Sequence, residues 1–352
     1  MRTVYNPNNV NTKQQPIFFG EPLGLQRLDR LKYPKFLSLY KKQLSFIWRP
    51  GEISLVKDAA DYEMLTENEK FIFTSNLKFQ TLMDSCISRG VETLLPYISL
   101  PEVEYCCKVW GMFECIHSES YNYIIENVYP DFSEMLDSIA DDEEIMKRGK
   151  KVKEWYDKLL NVDENDKRKT LYKTLISINI LEAVQFFVSF VCSFAFGNNK
   201  KMIGDASIIK LIRRDENLHL QITQNMLQAL HSKPEEGFMD VARDCAKDVE
   251  GMFIQAVDEE KEWARYLFKD GSLLGLTEAI LCEYIEWIAN LRLKTLGMPE
   301  IYPKARNTMS GWLNSWMGEA NQVAPQEQEN TEYKIGESRN DIKGFDFGGI
   351  EL

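Results

Sequence analysis

The chain has 352 residues, 44% of them hydrophobic, which allows either two average domains or one large helical domain with a sizeable core. Its 42 lysines and arginines against 54 acidic residues leave a net charge of −12, which argues against nucleic acids and anionic membranes as partners. Seven cysteines, odd in number and without framework or metal-ligand spacing, read as reduced thiols of a cytoplasmic protein.

Residues 1–30 read as an extended polar arm that lacks the apolar stretch of a secretory signal. A helical domain is predicted over 31–320. It begins with "LKYPKFLSLYKKQLSFIWRP", a helix closed off by Pro50. "TENEKFIFTSNLKFQTLMDSCISRGVETLL" opens on the capping residue Thr66 and runs as a long apolar-periodic helix. A third helix, "PEVEYCCKVWGMFECIHSESYNYIIENVY", starts at Pro101 and ends before Pro130. A charged stretch near 131–170 is read as short helices. Beyond it come an apolar helix over about 170–197, further helices near 202–231 and 238–268, and a last long one, "TEAILCEYIEWIANLRLKTLG". Alternating apolar residues bounded by turn pairs are scarce, so no substantial sheet is expected. The run Leu175 to Gly197 is long enough to cross a bilayer, but Glu182 and Gln185 near its middle favour the central helix of a soluble bundle. From 321 to 352 the chain turns polar, acidic and glycine-rich and cannot bury enough apolar surface to order itself. Its last residues, "GFDFGGIEL", restore Phe, Ile and Leu, and read either as a frayed end or as a peptide that docks on a partner.

Only three histidines occur, and two of them stand in Glu-x-x-His pairs: Glu114 with His117, and Glu216 with His219. Positions three apart share a helix face, so each pair projects together. His231, with Gln228 at the same offset near a predicted helix end, serves as an internal control. Asp84 and Glu182 are acids at positions where the periodicity predicts core. One carboxylate from each of two helices and a Glu-x-x-His from each of two others form the ligand set of di-iron or di-manganese carboxylate bundles. Each member alone is more simply a satisfied core residue; the coincidence of all six points to a metal pair. Tyr121 lies on the ligand face, four residues after His117 and about 6 Å along the axis. It reads either as a core tyrosine or as a phenol placed for one-electron oxidation. Phe186, Phe190 and Ile212 lie one or two turns from ligands and would cage such a radical, although packing alone also accounts for them.

At these residues the sequence resembles the small (beta) subunit of class Ia ribonucleotide reductase. "IFFGEPLGLQRLD", "KQLSFIWRP", "NLKFQTLMDS", "ECIHSESY", "LEAVQFFVSFVCSFAF", "LIRRDENLHL" and "APQEQENTEY" occur in family order over nearly the whole chain. The resemblance implies an all-α, ferritin-like helical bundle with a di-metal carboxylate site in its core, normally a homodimer. It assigns iron ligation to Asp84, Glu114, His117, Glu182, Glu216 and His219, with two oxo-bridged iron ions per chain and manganese as an alternative. It places a stable tyrosyl radical, formed with dioxygen, on Tyr121, in a pocket of Phe186, Phe190 and Ile212. A radical route would start through Trp48, hydrogen-bonded via Asp215 to His117. It would leave by Tyr333 in the tail towards the large (alpha) subunit, which binds the tail and reduces ribonucleotides. No nucleotide-binding glycine loop is expected in such a chain, and none is found. Three departures stand out. The stretch 130–170 is shorter than in the long bacterial members, Phe113 replaces a small residue before Glu114, and "FGGIEL" matches no particular partner. Retention of Tyr121 argues against the branch that lacks this tyrosine. The rival readings are a ferritin-like iron-oxidising or iron-storage protein and a metal-free helical interaction protein.

Overall fold

A computed structural model describes residues 3–317, apart from positions 9 and 310. Thr66 caps a helix of 24 residues through a reciprocal capping box with Glu69, and Pro101 opens the longer helix that packs beside it. In chain order the helices are α1 (Pro34–Leu44), α2 (Val56–Met64), α3 (Glu67–Gly90), α4 (Pro101–Val128), α5 (Phe132–Ala140) and α6 (Glu143–Leu160). They continue as α7 (Lys167–Ile180), α8 (Phe187–Asn198), α9 (Ile203–Ser232), α10 (Met239–Asp244), α11 (Ala246–Leu267), α12 (Glu278–Thr295) and α13 (Leu313–Met317). Among the described residues the only β pairings are isolated bridges, Phe18 with Ile98 and Leu273 with Leu276. α3 lies against α4 and α6, α4 against α1 and α9, and α8 against α9, so four long segments enclose one apolar core.

The predicted elements hold with four adjustments. α1 ends at Leu44, so Trp48 is carried by the loop before Pro50 rather than by the helix. The charged stretch contains α6, an 18-residue helix whose buried Ile145, Gly149, Val152, Tyr156 and Leu159 keep helical spacing beneath a coat of lysines and acids. The helix near 238–268 is divided at Cys245. Most consequentially, the apolar helix over 170–197 is broken by a π-turn at Leu181–Gln185, between α7 and α8. The wider turn changes the phase of the helix, so Phe186 does not sit one regular turn beyond Glu182. The stretch Glu164–Asn198 has a mean hydropathy of 1.9 in its most apolar window, enough to cross a membrane, yet 89% of that window is buried among the other helices.

The N-terminal arm is packed against the bundle. Ile17 and Phe18 are wholly buried, and buried Glu236 holds the arm through the Ile17 amide (2.6 Å), the Lys32 ammonium (2.6 Å) and the Tyr33 hydroxyl (2.6 Å). α9, which carries one Glu-x-x-His, is fixed at its start by Asp58. Its two carboxylate oxygens accept from the amides of Gly204 (3.0 Å) and Asp205 (2.7 Å), two of the otherwise unpaired donors of a helix N-terminus. The stretch 318–352, which contains Tyr333 and the expected docking segment, lies outside the described residues.

Candidate metal centre

α3 contributes Asp84, α4 contributes Glu114 and His117, the π-turn contributes Glu182, and α9 contributes Glu216 and His219. None of these six is more than 5% exposed. Their ligand atoms fall into two groups, each contained within 4.8 Å: Asp84, Glu114, His117 and Glu216, and Glu114, Glu182, Glu216 and His219. Glu114 and Glu216 belong to both. Nδ1 of His117 lies 3.1 Å from Glu216 and 3.4 Å from Glu114; Nδ1 of His219 lies 2.7 Å from Glu216 and 3.1 Å from Glu114. The two Glu-x-x-His pairs thus face each other across the interface of α4 and α9, and Asp84 and Glu182 close opposite ends.

The protein leaves this cluster unsatisfied. Both oxygens of Asp84, both of Glu182, and one each of Glu114 and Glu216 are buried without a hydrogen-bond partner. An unpaired buried polar group costs about 1–3 kcal/mol, and a charged one more. Burial, reinforced by the neighbouring carboxylates, pushes Asp84 and Glu182 well above the usual carboxylate range. Burial also opposes the charge of Glu216, but the two imidazoles outweigh it and hold that acid low. Conversely, burial disfavours protonated imidazole at His117 and His219, and the surrounding carboxylates overcome it and raise both. Four carboxylates would balance two divalent cations, with one imidazole on each side and two carboxylates reaching both. The donors, mostly oxygen with one nitrogen per ion, suit iron or manganese. The residues therefore fit a metal pair.

Around the ligands the packing is specific. Asp215 accepts from the indole N–H of Trp48 at 2.7 Å through Oδ2, which also lies 3.4 Å from Nε2 of His117. The guanidinium of Arg214 donates twice to Oδ1 of Asp215, at 3.1 and 3.0 Å, and once to the Phe46 carbonyl at 2.7 Å. An acid fixed in this way orients an imidazole so that its other nitrogen faces the ions. Tyr121 is wholly buried, its hydroxyl has no hydrogen-bond partner, and burial followed by the charge of Asp84 raises it well above an ordinary phenol. Phe186, Phe190 and Ile212 are likewise buried, and the two phenyl rings stack at 5.3 Å. His231 takes no part: its Nε2 lies 2.8 Å from the hydroxyl of Tyr172, as expected of the control.

Two contacts escaped the sequence reading. Trp110 donates from its indole to Oε1 of Glu114 at 2.6 Å and stacks on His219 at 5.0 Å. Its place four residues before Glu114 is the signal that could have revealed it. Arg214 is the other; nothing in its position beside Asp215 distinguishes it from a surface arginine. Phe113 is 1% exposed, and its ring stands 6.5 Å from His117 and 6.4 Å from His219, so the larger side chain fills space beside both imidazoles.

Residues 26–308 match the family described as ribonucleotide reductase, small chain. The ribonucleoside-diphosphate reductase subunit beta of Buchnera aphidicola subsp. Baizongia pistaciae is 42% identical over 99% of both chains. Ribonucleoside-diphosphate reductase 1 subunit beta of Escherichia coli O157:H7 is 40% identical over the same shares. Among solved structures, a ribonucleotide reductase R2 subunit from Clostridium botulinum superposes with a TM-score of 0.82 at 25% identity, covering 90% of this chain and 98% of that one.

Proposed function

This chain belongs to the ribonucleotide reductase small-chain family, the beta subunits of ribonucleoside-diphosphate reductase, and we propose that it generates and stores the oxidant used by a large subunit. In this reading Asp84 and His117 would hold one ion and Glu182 and His219 the other, with Glu114 and Glu216 belonging to both groups of donors. A bound pair of iron or manganese ions supplies the redox chemistry that activates dioxygen.

The side chains of this protein do the rest. Trp48 delivers an electron inward, and Asp215, pinned by Arg214, keeps the indole and the His117 imidazole in one hydrogen-bonded line. Tyr121 would give up one electron to the oxidant derived from dioxygen and its phenolic proton towards Asp84, whose carboxylate is the charged group acting on it most strongly. The buried Phe186, Phe190 and Ile212 keep water from the resulting radical. Tyr333, in the tail, carries the oxidising equivalent to the large subunit, where ribonucleotides are reduced to deoxyribonucleotides, and two copies of this chain form the working dimer in the cytoplasm.

The observation that carries this reading is the continuous contact from Trp48 through Asp215 to His117, because an iron-storage protein has no use for it. Loading the metal-free chain with ferrous iron and then oxygen is expected to produce a sharp tyrosyl absorption and electron-spin signal. Tyr121→Phe should abolish both while still binding two ions. An unchanged signal in that variant would overturn the assignment.

A further inference from the structure

The π-turn at Leu181–Gln185 packs against α9, α11 and α12 and carries two polar side chains. Glu182 belongs to the cluster of carboxylates and imidazoles. Gln185, the last residue of the turn, is half-buried where the other four are buried. Its side-chain amide donates to Oε2 of Glu259, on α11, at 3.2 Å. The other oxygen of Glu259 accepts from the Lys151 ammonium of α6 at 2.5 Å and from the Gln255 amide at 2.7 Å. Nearly one turn before Lys151, Arg148 donates to the main-chain carbonyl of Glu259 at 2.9 Å and to the carboxylate of Glu260. Its guanidinium lies 4.3 Å from the ring centre of Phe79 and 4.9 Å from that of Trp263. α6 and α11 are thus gripped together at one level, and the grip extends to the π-turn through Gln185. A cleft of about 280 Å³, lined in part by Trp155, Ile180, Gln185 and Met252, borders the turn here, so polar contact restrains it where close packing does not.

A π-turn contains one residue more than a regular helical turn, and each residue of an α-helix accounts for about 100° of rotation. If this turn relaxed to regular helix, Glu182 would swing by about that angle relative to α8 and leave its group with His219. Neither oxygen of Glu182 has a protein partner that could hold it in place, so its position depends on the backbone that carries it. We infer that Gln185 is a positioning residue for Glu182: its bond to Glu259, itself anchored by Lys151, keeps the π-turn wide and so keeps the Glu182 carboxylate beside His219. α6, which supplies none of the six ligands, thereby acts on the site through Arg148 and Lys151. The inference deepens the metal reading above and rests on it.

Manganese(II) titration of the full chain, followed by the electron-spin signal of the free ion, tests it. The unaltered protein should bind two ions. Gln185→Leu should weaken one of them about 10-fold, the same ion that Glu182→Leu removes, and leave the other unchanged. Gln185→Arg, which keeps a donor for Glu259 and has the cleft to accommodate its length, should restore the affinity. Equal affinities in Gln185→Leu and the unaltered chain would overturn the inference. So would a uniform loss at both ions, which marks a general structural role, or a Gln185→Arg chain as weak as Gln185→Leu. Failure of the unaltered chain to bind two ions would instead remove the metal reading and this inference with it. Amide hydrogen exchange of the metal-free protein gives a readout independent of any ion. Gln185→Leu should speed exchange across residues 181–186 about fivefold and leave the N-terminal arm at Ile17 unchanged. Exchange at 181–186 that does not change would likewise refute the tether.

Discussion

Two kinds of buried acid occur in this molecule, and they are satisfied in opposite ways. Glu236 is 1% exposed and accepts from a backbone amide, an ammonium and a phenol, all at 2.6 Å. Asp84 and Glu182 are as deeply buried, and no protein group bonds to either. An acid that stitches the chain together brings its partners from the same sequence. Asp84 and Glu182 have none, although Glu114 and Glu216 of the same cluster are bonded by Trp110 and His219. Burial alone does not separate Glu236 from Asp84 and Glu182; their hydrogen bonds do.

Removing one acid of each kind should break the comparison most sharply. Glu236→Ala strips the Lys32 ammonium of its carboxylate, leaving it only the Gln15 carbonyl, leaves the Ile17 amide unpaired, and should destabilise the chain by about 3–5 kcal/mol in urea unfolding, with both metal ions still bound. Glu182→Leu should act in the opposite sense. The metal-free protein should become more stable by about 1–3 kcal/mol, because an unsatisfied polar group is replaced by an apolar one, while one of two ions is lost. Destabilisation of the metal-free protein by Glu182→Leu would mean that this carboxylate has a protein partner after all.

The smallest effect is one of pH, and it sharpens the same contrast. Asp84, Glu182, His117 and His219 all hold protons more tightly in the folded metal-free chain than when unfolded. Their contribution therefore favours folding at low pH and is lost as pH rises from their unfolded values, near 4 for the acids and 6.5 for the imidazoles, through the raised folded ones. Glu216, held low, contributes in the reverse direction. Ion binding displaces the protons on the four raised groups, so affinity should increase with pH, and calorimetry in buffers of different ionisation enthalpy should register proton release. Uptake independent of pH would show that the ligands are already deprotonated before the ions bind.

Much of this site was legible because helices convert spacing into direction. Glu114 and His117, like Glu216 and His219, share a face by periodicity alone, and Asp84 and Glu182 stood out as acids in apolar positions. The contacts of Trp48 and Asp215 were anticipated only through family resemblance, since 167 residues separate the two partners. Trp110 was overlooked because an apolar aromatic on a buried face looks like packing. Arg214 was overlooked because a charged residue on a half-exposed helix looks like surface. The π-turn at Leu181–Gln185 was missed for another reason: no proline or glycine marks it, and Leu181, Ala183 and Val184 continue the apolar run on either side.

The amino-acid order determined which residues are candidates to hold a metal pair and that most of them lie on helices, because hydrophobic period and residue type are local properties. Tertiary structure alone decided that Glu114 and Glu216 reach both groups, that Tyr156 rests on Gly90, and that Glu236 is satisfied where Glu182 is not. Those facts depend on how separate helices cross and on the phase imposed by one wide turn, and chain spacing does not encode distance between elements that meet only after folding.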